Sequence, residues 1–158
     1  KNYSKYPKKE YFKPYPTQSN KQVCATGFNI NKAGLAELDQ LPGIGEARAK
    51  WILDYRDRLG GFTDLRQLEE LVGLDSLSLA SLKQYAQIFP DDLPKKLNIN
   101  VIELEELAKH PYLTRRKAKA IINFRTQHGA YQDIDELTSV RVLTDKELEK
   151  IRPYLSTE

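Results

Sequence analysis

The stretch Leu41-Pro42-Gly43-Ile44-Gly45-Glu46-Ala47-Arg48-Ala49-Lys50 decides the fold. Upstream, Leu35, Leu38 and Leu41 recur every three residues; downstream, Ala49, Ile52, Tyr55 and Leu59 follow a three-and-four spacing. These are two amphipathic helices joined by a very short turn. Gly43 and Gly45 admit positive φ in that turn and, lacking Cβ atoms, let another molecule approach the main chain. Ile44 between them is expected to plug the gap between the helices. The second helix begins near Glu46, so the N–H groups of Gly45, Glu46 and Ala47 have no intrahelical acceptor and point outward at the positive end of the dipole. Such a terminus suits one phosphate group. Arg48 and Lys50 follow in the first turn and either add charge there or form a solvated helix face.

The same pattern occurs twice. Setting Phe28 against Leu97 gives a constant offset of 69, and the two stretches then run in register without a gap. Matched identities include Asn29/Asn98, Ile30/Ile99, Leu38/Leu107, Pro42/Pro111, Ala49/Ala118, Lys50/Lys119, Arg56/Arg125, Gly60/Gly129, Asp64/Asp133 and Tyr85/Tyr154. The expected organisation is a basic, tyrosine-rich tail (1–27), a first unit (28–89), a linker (90–96) and a second unit (97–158). Each unit reads as four short helices, with no alternating strand pattern, so the fold class is all-α. Asn31 and Asn100 stand as N-caps, Asn100 with Glu103 as a capping box. Asp64/Gln67, Asp133/Glu136 and Thr144/Glu147 repeat the box spacing. Gly60 and Gly129 fall where the second helix of each unit should stop. Arg56 and Arg125 read as structural, pairing with a carboxylate or capping a carbonyl.

Composition limits the chemistry. The chain has 158 residues, one cysteine, two histidines and a net charge of +3. No apolar run approaches the roughly 18 residues of a membrane span, so no membrane contact is expected within the chain. Cys24, His110 and His128 make no metal set. Charge is unevenly placed: residues 1–27 carry +5, residues 28–89 carry −2, and residues 97–158 balance. Bulk electrostatics therefore do not nominate a polyanionic partner, and any such case rests on local arrangement. In the tail, Tyr3, Tyr6, Tyr11, Phe12 and Tyr15 alternate with lysines, a composition that suits either a solvated tether or base stacking.

At the hairpin the sequence resembles the helix-hairpin-helix motif. With Asn29-Ile30-Asn31-Lys32-Ala33 upstream, Ile52-Leu53-Asp54-Tyr55-Arg56 downstream and then Gly60-Gly61-Phe62, it resembles the ComEA-type DNA-uptake domain in two tandem copies. The resemblance covers 28–89 well and 97–155 in weakened form. It implies a non-enzymatic protein that binds DNA through backbone phosphates without reading sequence, in uptake or repair. It also implies a potassium or sodium ion on the carbonyls of Asp39, Leu41 and Ile44, and a periplasmic or envelope location behind an N-terminal anchor, with an envelope protein as a further partner.

The second copy departs from the pattern. Its hairpin reads Pro111-Tyr112-Leu113-Thr114-Arg115-Arg116-Lys117-Ala118-Lys119, with both glycines gone. Thr114, in the place of Gly45, is a good N-cap whose hydroxyl satisfies the N–H that a phosphate would use. Arg115, Arg116, Lys117 and Lys119 crowd the same terminus, where cations work against the dipole, and either hold phosphate by side chains or form a solvated face. The expected phosphate-binding set is therefore Gly43, Ile44, Gly45, Ala47, Arg48 and Lys50, with Arg115, Arg116, Lys117 and Lys119. No catalytic arrangement stands out, so no enzymatic activity is expected. The competing reading is a scaffold module with degenerate hairpins.

Overall fold

The computed structural model describes residues 27–158; the tail and Cys24 lie outside the described residues. The first repeat runs β1 (Phe28–Asn29), α1 (Leu35–Asp39), α2 (Glu46–Leu59), a 3-10 segment (Leu65–Glu70), α3 (Ser76–Tyr85) and β2 (Ala86–Gln87). The second runs β3 (Leu97–Asn98), α4 (Leu104–Leu107), α5 (Arg115–His128), a 3-10 segment (Ile134–Ser139), α6 (Asp145–Ile151), a 3-10 turn (Arg152–Tyr154) and β4 (Leu155–Ser156). The fold is two tandem helical hairpin units in an essentially all-α chain.

Two compact units form: the residues through Leu53 with Asp64–Gln87, and Asp54–Thr63 with Ile88–Glu158. In the first, Ile30, Leu38, Leu41, Ile44, Ala49, Ile52, Leu68 and Leu82 are buried. Leu38, Leu41, Ala49 and Ile52 are residues of the three-and-four spacing and Ile44 is the plug of the turn, and each large aliphatic contributes about 1.5–3 kcal/mol by leaving water. In the second, Leu59, Phe62, Ile99, Leu107, Ile121, Tyr131, Leu137, Ile151 and Tyr154 do the same. Two hydroxyls there are satisfied by main chain: Tyr131 donates to the Ile121 carbonyl at 2.8 Å and Tyr154 to that of Gly61 at 3.0 Å.

The caps at Asp64, Asp133 and Thr144 form as the spacing predicts, each with its box partner at N3. Gly60 and Gly129 take φ of 84° and 92° at the helix ends. Arg56 pairs with Asp57 at 3.0 Å, and Arg125 donates to the Ile99 carbonyl at 2.6 Å.

Three local expectations are corrected. Asn31 and Asn100 cap no helix: α1 and α4 begin later, with Gly34 and Glu103 as N-caps. Asn29 and Asn98 instead accept the N–H groups of Asn31 and Asn100, while Asn100 bridges Tyr131 and Thr157. Between α2 and α3 the chain makes a 3-10 segment rather than an α-helix, a form suited to one or two turns held by a strong N-cap. Finally, each repeat starts and ends in a two-residue strand. β1 pairs in parallel with β2 (Phe28 with Ala86, Asn29 with Gln87), and β3 with β4 (Leu97 with Leu155, Asn98 with Ser156). Two residues are too few for an alternation to show.

Candidate nucleic-acid interface

The two hairpin glycines have different reasons to be there. Gly43 has φ of 76°, and a Cβ on it would stand 2.8 Å from Ser78 Oγ and 3.1 Å from Ser78 N. The fold itself requires glycine at that point. Gly45 has no positive φ, contrary to expectation, and a Cβ there would meet nothing within 4 Å. Any small residue fits, and a capping residue would serve the helix better. Gly45 leaves the start of α2 uncovered: the first helical bond runs from Ala49 N–H to the Gly45 carbonyl at 2.9 Å, ahead of which lie the N–H groups of Gly45, Glu46 and Ala47. Ile44, 2% exposed, plugs the turn from beneath.

Arg48 braces the site. Its guanidinium donates to the Gly43 carbonyl at 2.5 Å and to Ser78 Oγ at 2.8 Å, and pairs with Asp75 at 2.8 Å. Asp75 is also the N-cap of α3, accepting the N–H and hydroxyl of Ser78, and these bonds with the Arg48 charge hold its carboxyl below the usual range. The hairpin is thereby fastened to the start of α3. Lys50 pairs with Glu46 at 2.5 Å, one turn away in solvent. Of the three carbonyls named for a monovalent ion, that of Leu41 already accepts the Ile44 N–H at 3.0 Å. The adjacent Gly43 carbonyl faces Arg48, so a cation already stands at the turn in the form of that guanidinium. No step below runs through an ion.

The second hairpin solves the same geometry with other chemistry. Tyr112 replaces Gly43 without positive φ, Leu113 replaces Ile44 and is buried, and Thr114 caps α5 by accepting the Lys117 N–H at 3.4 Å. Lys117, in the place of Arg48, pairs with Glu147, in the place of Ser78. The same two positions are braced in both repeats. The Lys117 ammonium, with the Thr144 N–H and hydroxyl, holds the Glu147 carboxyl at about 2. Arg115 pairs with Glu105 at 2.5 Å. Arg116 and Lys119 are exposed and have no ion pair among the described residues. The braces and the neutralised Arg115 depend on acids 10 to 30 residues away, which local spacing does not show.

His110, in the place of Leu41, is 3% exposed, with its ring against Tyr154 (4.8 Å) and Tyr112 (5.3 Å). Nδ1 accepts the Tyr112 N–H at 3.3 Å and Nε2 has no partner among the described residues. Burial pushes its pKa down to about 4.

The helix-hairpin-helix motif model matches residues 23–87 and again 94–156. The chain belongs to the helix-hairpin-helix family. Members of that family generally bind DNA without sequence preference, and no helix among the described residues is long and apolar enough to cross a membrane. Among similar proteins is the endonuclease/exonuclease/phosphatase family domain-containing protein 1 of Danio rerio, 30% identical over 151 residues, covering 85% of this chain and 28% of that protein. Its Homo sapiens counterpart is 27% identical over 168 residues, covering 89% and 30%. The ComE operon protein 1 of Bacillus subtilis is 36% identical over 62 residues, covering 39% and 30%. No solved structure matches.

These relatives correct three expectations. The competence-protein match spans one repeat's length, whereas the proteins matching across both repeats carry the endonuclease/exonuclease/phosphatase name. The assignment to the DNA-uptake type therefore falls, and with it the expectation of a non-enzymatic DNA binder and of a chain unconnected with enzymes. The hairpin glycines produced the narrower resemblance, because one repeat alone carries them. The chain spans less than a third of the length of these relatives.

Proposed function

We propose that this chain is the nucleic-acid-holding part of a phosphoester-cleaving protein of the endonuclease/exonuclease/phosphatase kind. The first hairpin takes one backbone phosphate on the N–H groups of Gly45, Glu46 and Ala47, and the second adds the side chains of Arg116 and Lys119. The observation that carries this reading is Gly45: nothing in the fold requires a glycine there, yet its missing side chain keeps the helix start open. Helix N-termini bind phosphate by donated N–H bonds and dipole, and such contacts fix position without reading bases. A catalytic domain acting on phosphodiesters at many sequences needs a holder of that sort. The matched residues make up less than a third of those relatives' length, which leaves room in such a protein for a separate catalytic part.

The test is fluorescence anisotropy of labelled random-sequence duplex and single-stranded DNA, with the wild-type chain and Gly45→Asp at two salt concentrations. Wild-type binding that weakens with salt, and its loss in a variant of unchanged helicity, supports the reading. Equal binding by Gly45→Asp overturns the backbone grip. Where the chain is joined to a catalytic domain, the same substitution should raise KM for DNA and leave kcat nearly unchanged, since the holder is remote from the reacting bond.

A further inference from the structure

The same helix end is covered in one repeat and bare in the other. Within the second compact unit the end of α2 is seated on residues of the second repeat: the Tyr154 hydroxyl donates to the Gly61 carbonyl at 3.0 Å, and Leu59 and Gly60 line one cleft with Leu97, His110 and Tyr154. Leu59 and Tyr154 are each 1% exposed there. At the offset of 69, the end of α5 places His128, Gly129 and Ala130 where α2 has Leu59, Gly60 and Gly61, and all three are exposed. The His128 ring lies against that of Phe124, 4.5 Å between centroids, at this open end.

The seat is present twice as well. Tyr85 directly precedes β2 as Tyr154 directly precedes β4, but Tyr85 is partly exposed and its hydroxyl has no hydrogen-bond partner among the described residues. Tyr154 uses its hydroxyl on a carbonyl two residues past a helix end, and Ala130 holds that place after α5. The Ala130 carbonyl accepts Gln132 Nε2 at 3.2 Å and has a second lone pair to offer. The side chains of the two faces also change together. In the covered contact Asp54, Asp57 and Arg58 of the helix end share a cleft with Lys95, Glu106 and Lys109 of the seat. At the bare end these become Asn123, Thr126 and Gln127, and on the bare seat Lys109 becomes Gln40 while Glu106 stays an acid as Glu37. Opposed charges thus give way to neutral amides and a hydroxyl on both faces, which avoids burying a charge against a face that no longer answers it. Leu59 and His110 become His128 and Leu41, one leucine and one histidine each time with their places exchanged, and the one on the seat is buried in both. Paired changes of this kind mark residues that meet.

We infer that the bare helix end of one chain, His128 to Ala130, docks on the Tyr85 face of a second copy, repeating between chains the contact that Gly61 and Tyr154 make within one. The Tyr85 hydroxyl then donates to the Ala130 carbonyl of the neighbouring copy. Among the described residues each chain keeps one such end and one such seat, so the contact is heterologous and can recur from copy to copy. The inference does not depend on nucleic-acid binding, and neither face includes the open helix start at Gly45.

The experiment is sedimentation equilibrium of the full chain between about 1 μM and about 1 mM, with circular dichroism to check the fold of each variant. The wild-type mass should rise with concentration above the 18.2 kDa of the single chain. Ala130→Arg fills the bare end and Tyr85→Ala empties the seat, and each alone should hold the mass at 18.2 kDa. Mixed, the two should form one-to-one pairs, since the first retains its seat and the second its end. Gln40→Lys/Asn123→Asp/Thr126→Asp restores charges of the covered contact at three exposed positions, and should assemble at about 1.5- to 5-fold lower concentration, the effect of an exposed ion pair. A wild-type chain that stays at 18.2 kDa throughout overturns the inference and leaves the proposed function standing. Assembly untouched by Ala130→Arg overturns it too, as does a mixture of folded variants that stays monomeric where the wild type assembles.

Discussion

Replacing Gly45 with serine should make the protein more stable and a poorer DNA binder at once. Its backbone is not in the left-handed region and a Cβ meets nothing within 4 Å, so serine enters without strain. A serine hydroxyl at the N-cap improves on glycine by a few tenths of a kcal/mol. Removing a glycine from the unfolded ensemble adds about 0.4–1 kcal/mol. The sum, about 0.5–1.3 kcal/mol, corresponds to a rise in Tm of roughly 1–5 °C for a chain of this size. The hydroxyl then stands over the open helix start and accepts an N–H of its first turn, as the Thr114 hydroxyl accepts that of Lys117, and so competes with a phosphate for the same place. A hydrogen bond to a charged group is worth about 1.5–3 kcal/mol, so duplex affinity should fall about 10- to 150-fold. Scanning calorimetry and anisotropy on the same preparation read both effects. A serine variant with raised Tm and unchanged affinity would refute the reasoning, because the helix start would then be capped and still not needed. The reciprocal Thr114→Gly should lower Tm and strengthen binding.

Other outcomes follow from particular contacts. Gly43→Ala forces a left-handed φ on an L-residue and drives a Cβ to 2.8 Å from Ser78 Oγ, so it should cost about 1–3 kcal/mol and lower Tm by several degrees. Arg48→Ala should lower Tm and affinity but leave the salt slope nearly unchanged, since Arg48 braces the turn, whereas Lys119→Gln should flatten the slope by about 0.9. His110 has its folded pKa near 4 against an unfolded value of 6.5. Between those values the unfolded chain binds the proton and the native chain does not, so stability from this group is full above 6.5 and falls as pH drops to 4. The loss is at most about 3 kcal/mol, and His110→Leu, the residue of the first repeat, should remove it in thermal melts at pH 7 and pH 5. Glu147 has its carboxyl held at about 2 by Lys117 and Thr144, so its contribution should persist until pH falls below the ordinary carboxylate range and then vanish toward 2.

Much of this was legible because it is local or repeated. A capping box is a rule about residues three apart, and Asp64, Asp133 and Thr144 obey it. Gly60 and Gly129 stand at helix ends because the backbone turns left-handed there. The same rule misled at Asn31 and Asn100, which have cap chemistry but are held as turn residues two positions from Asn29 and Asn98. Of the two roles expected of Gly45, the positive φ is not taken up, and the missing side chain leaves the helix start open. Arg48 gave no local sign that Asp75 and Ser78, some 30 residues on, would occupy it. The association with phosphoester cleavage had no signature in these residues, since the relatives' catalytic name belongs to proteins more than three times as long.

The parallel pairs β1–β2 and β3–β4 mean that each repeat is entered and left at one place. The Ile30 N–H on the Gln87 carbonyl and the Ile99 N–H on the Ser156 carbonyl close the two loops in the same way. A segment so closed can be copied in tandem with both of its end strands paired inside the copy, although Asp54–Thr63 of the first repeat packs in the second compact unit and would lose that packing if the second copy were removed. That accounts for two copies in register at a constant spacing with no insertion between their parts. It also explains how one copy was free to exchange its glycines for a threonine and a tyrosine, since each closure belongs to its own repeat and survives whatever happens at the hairpin.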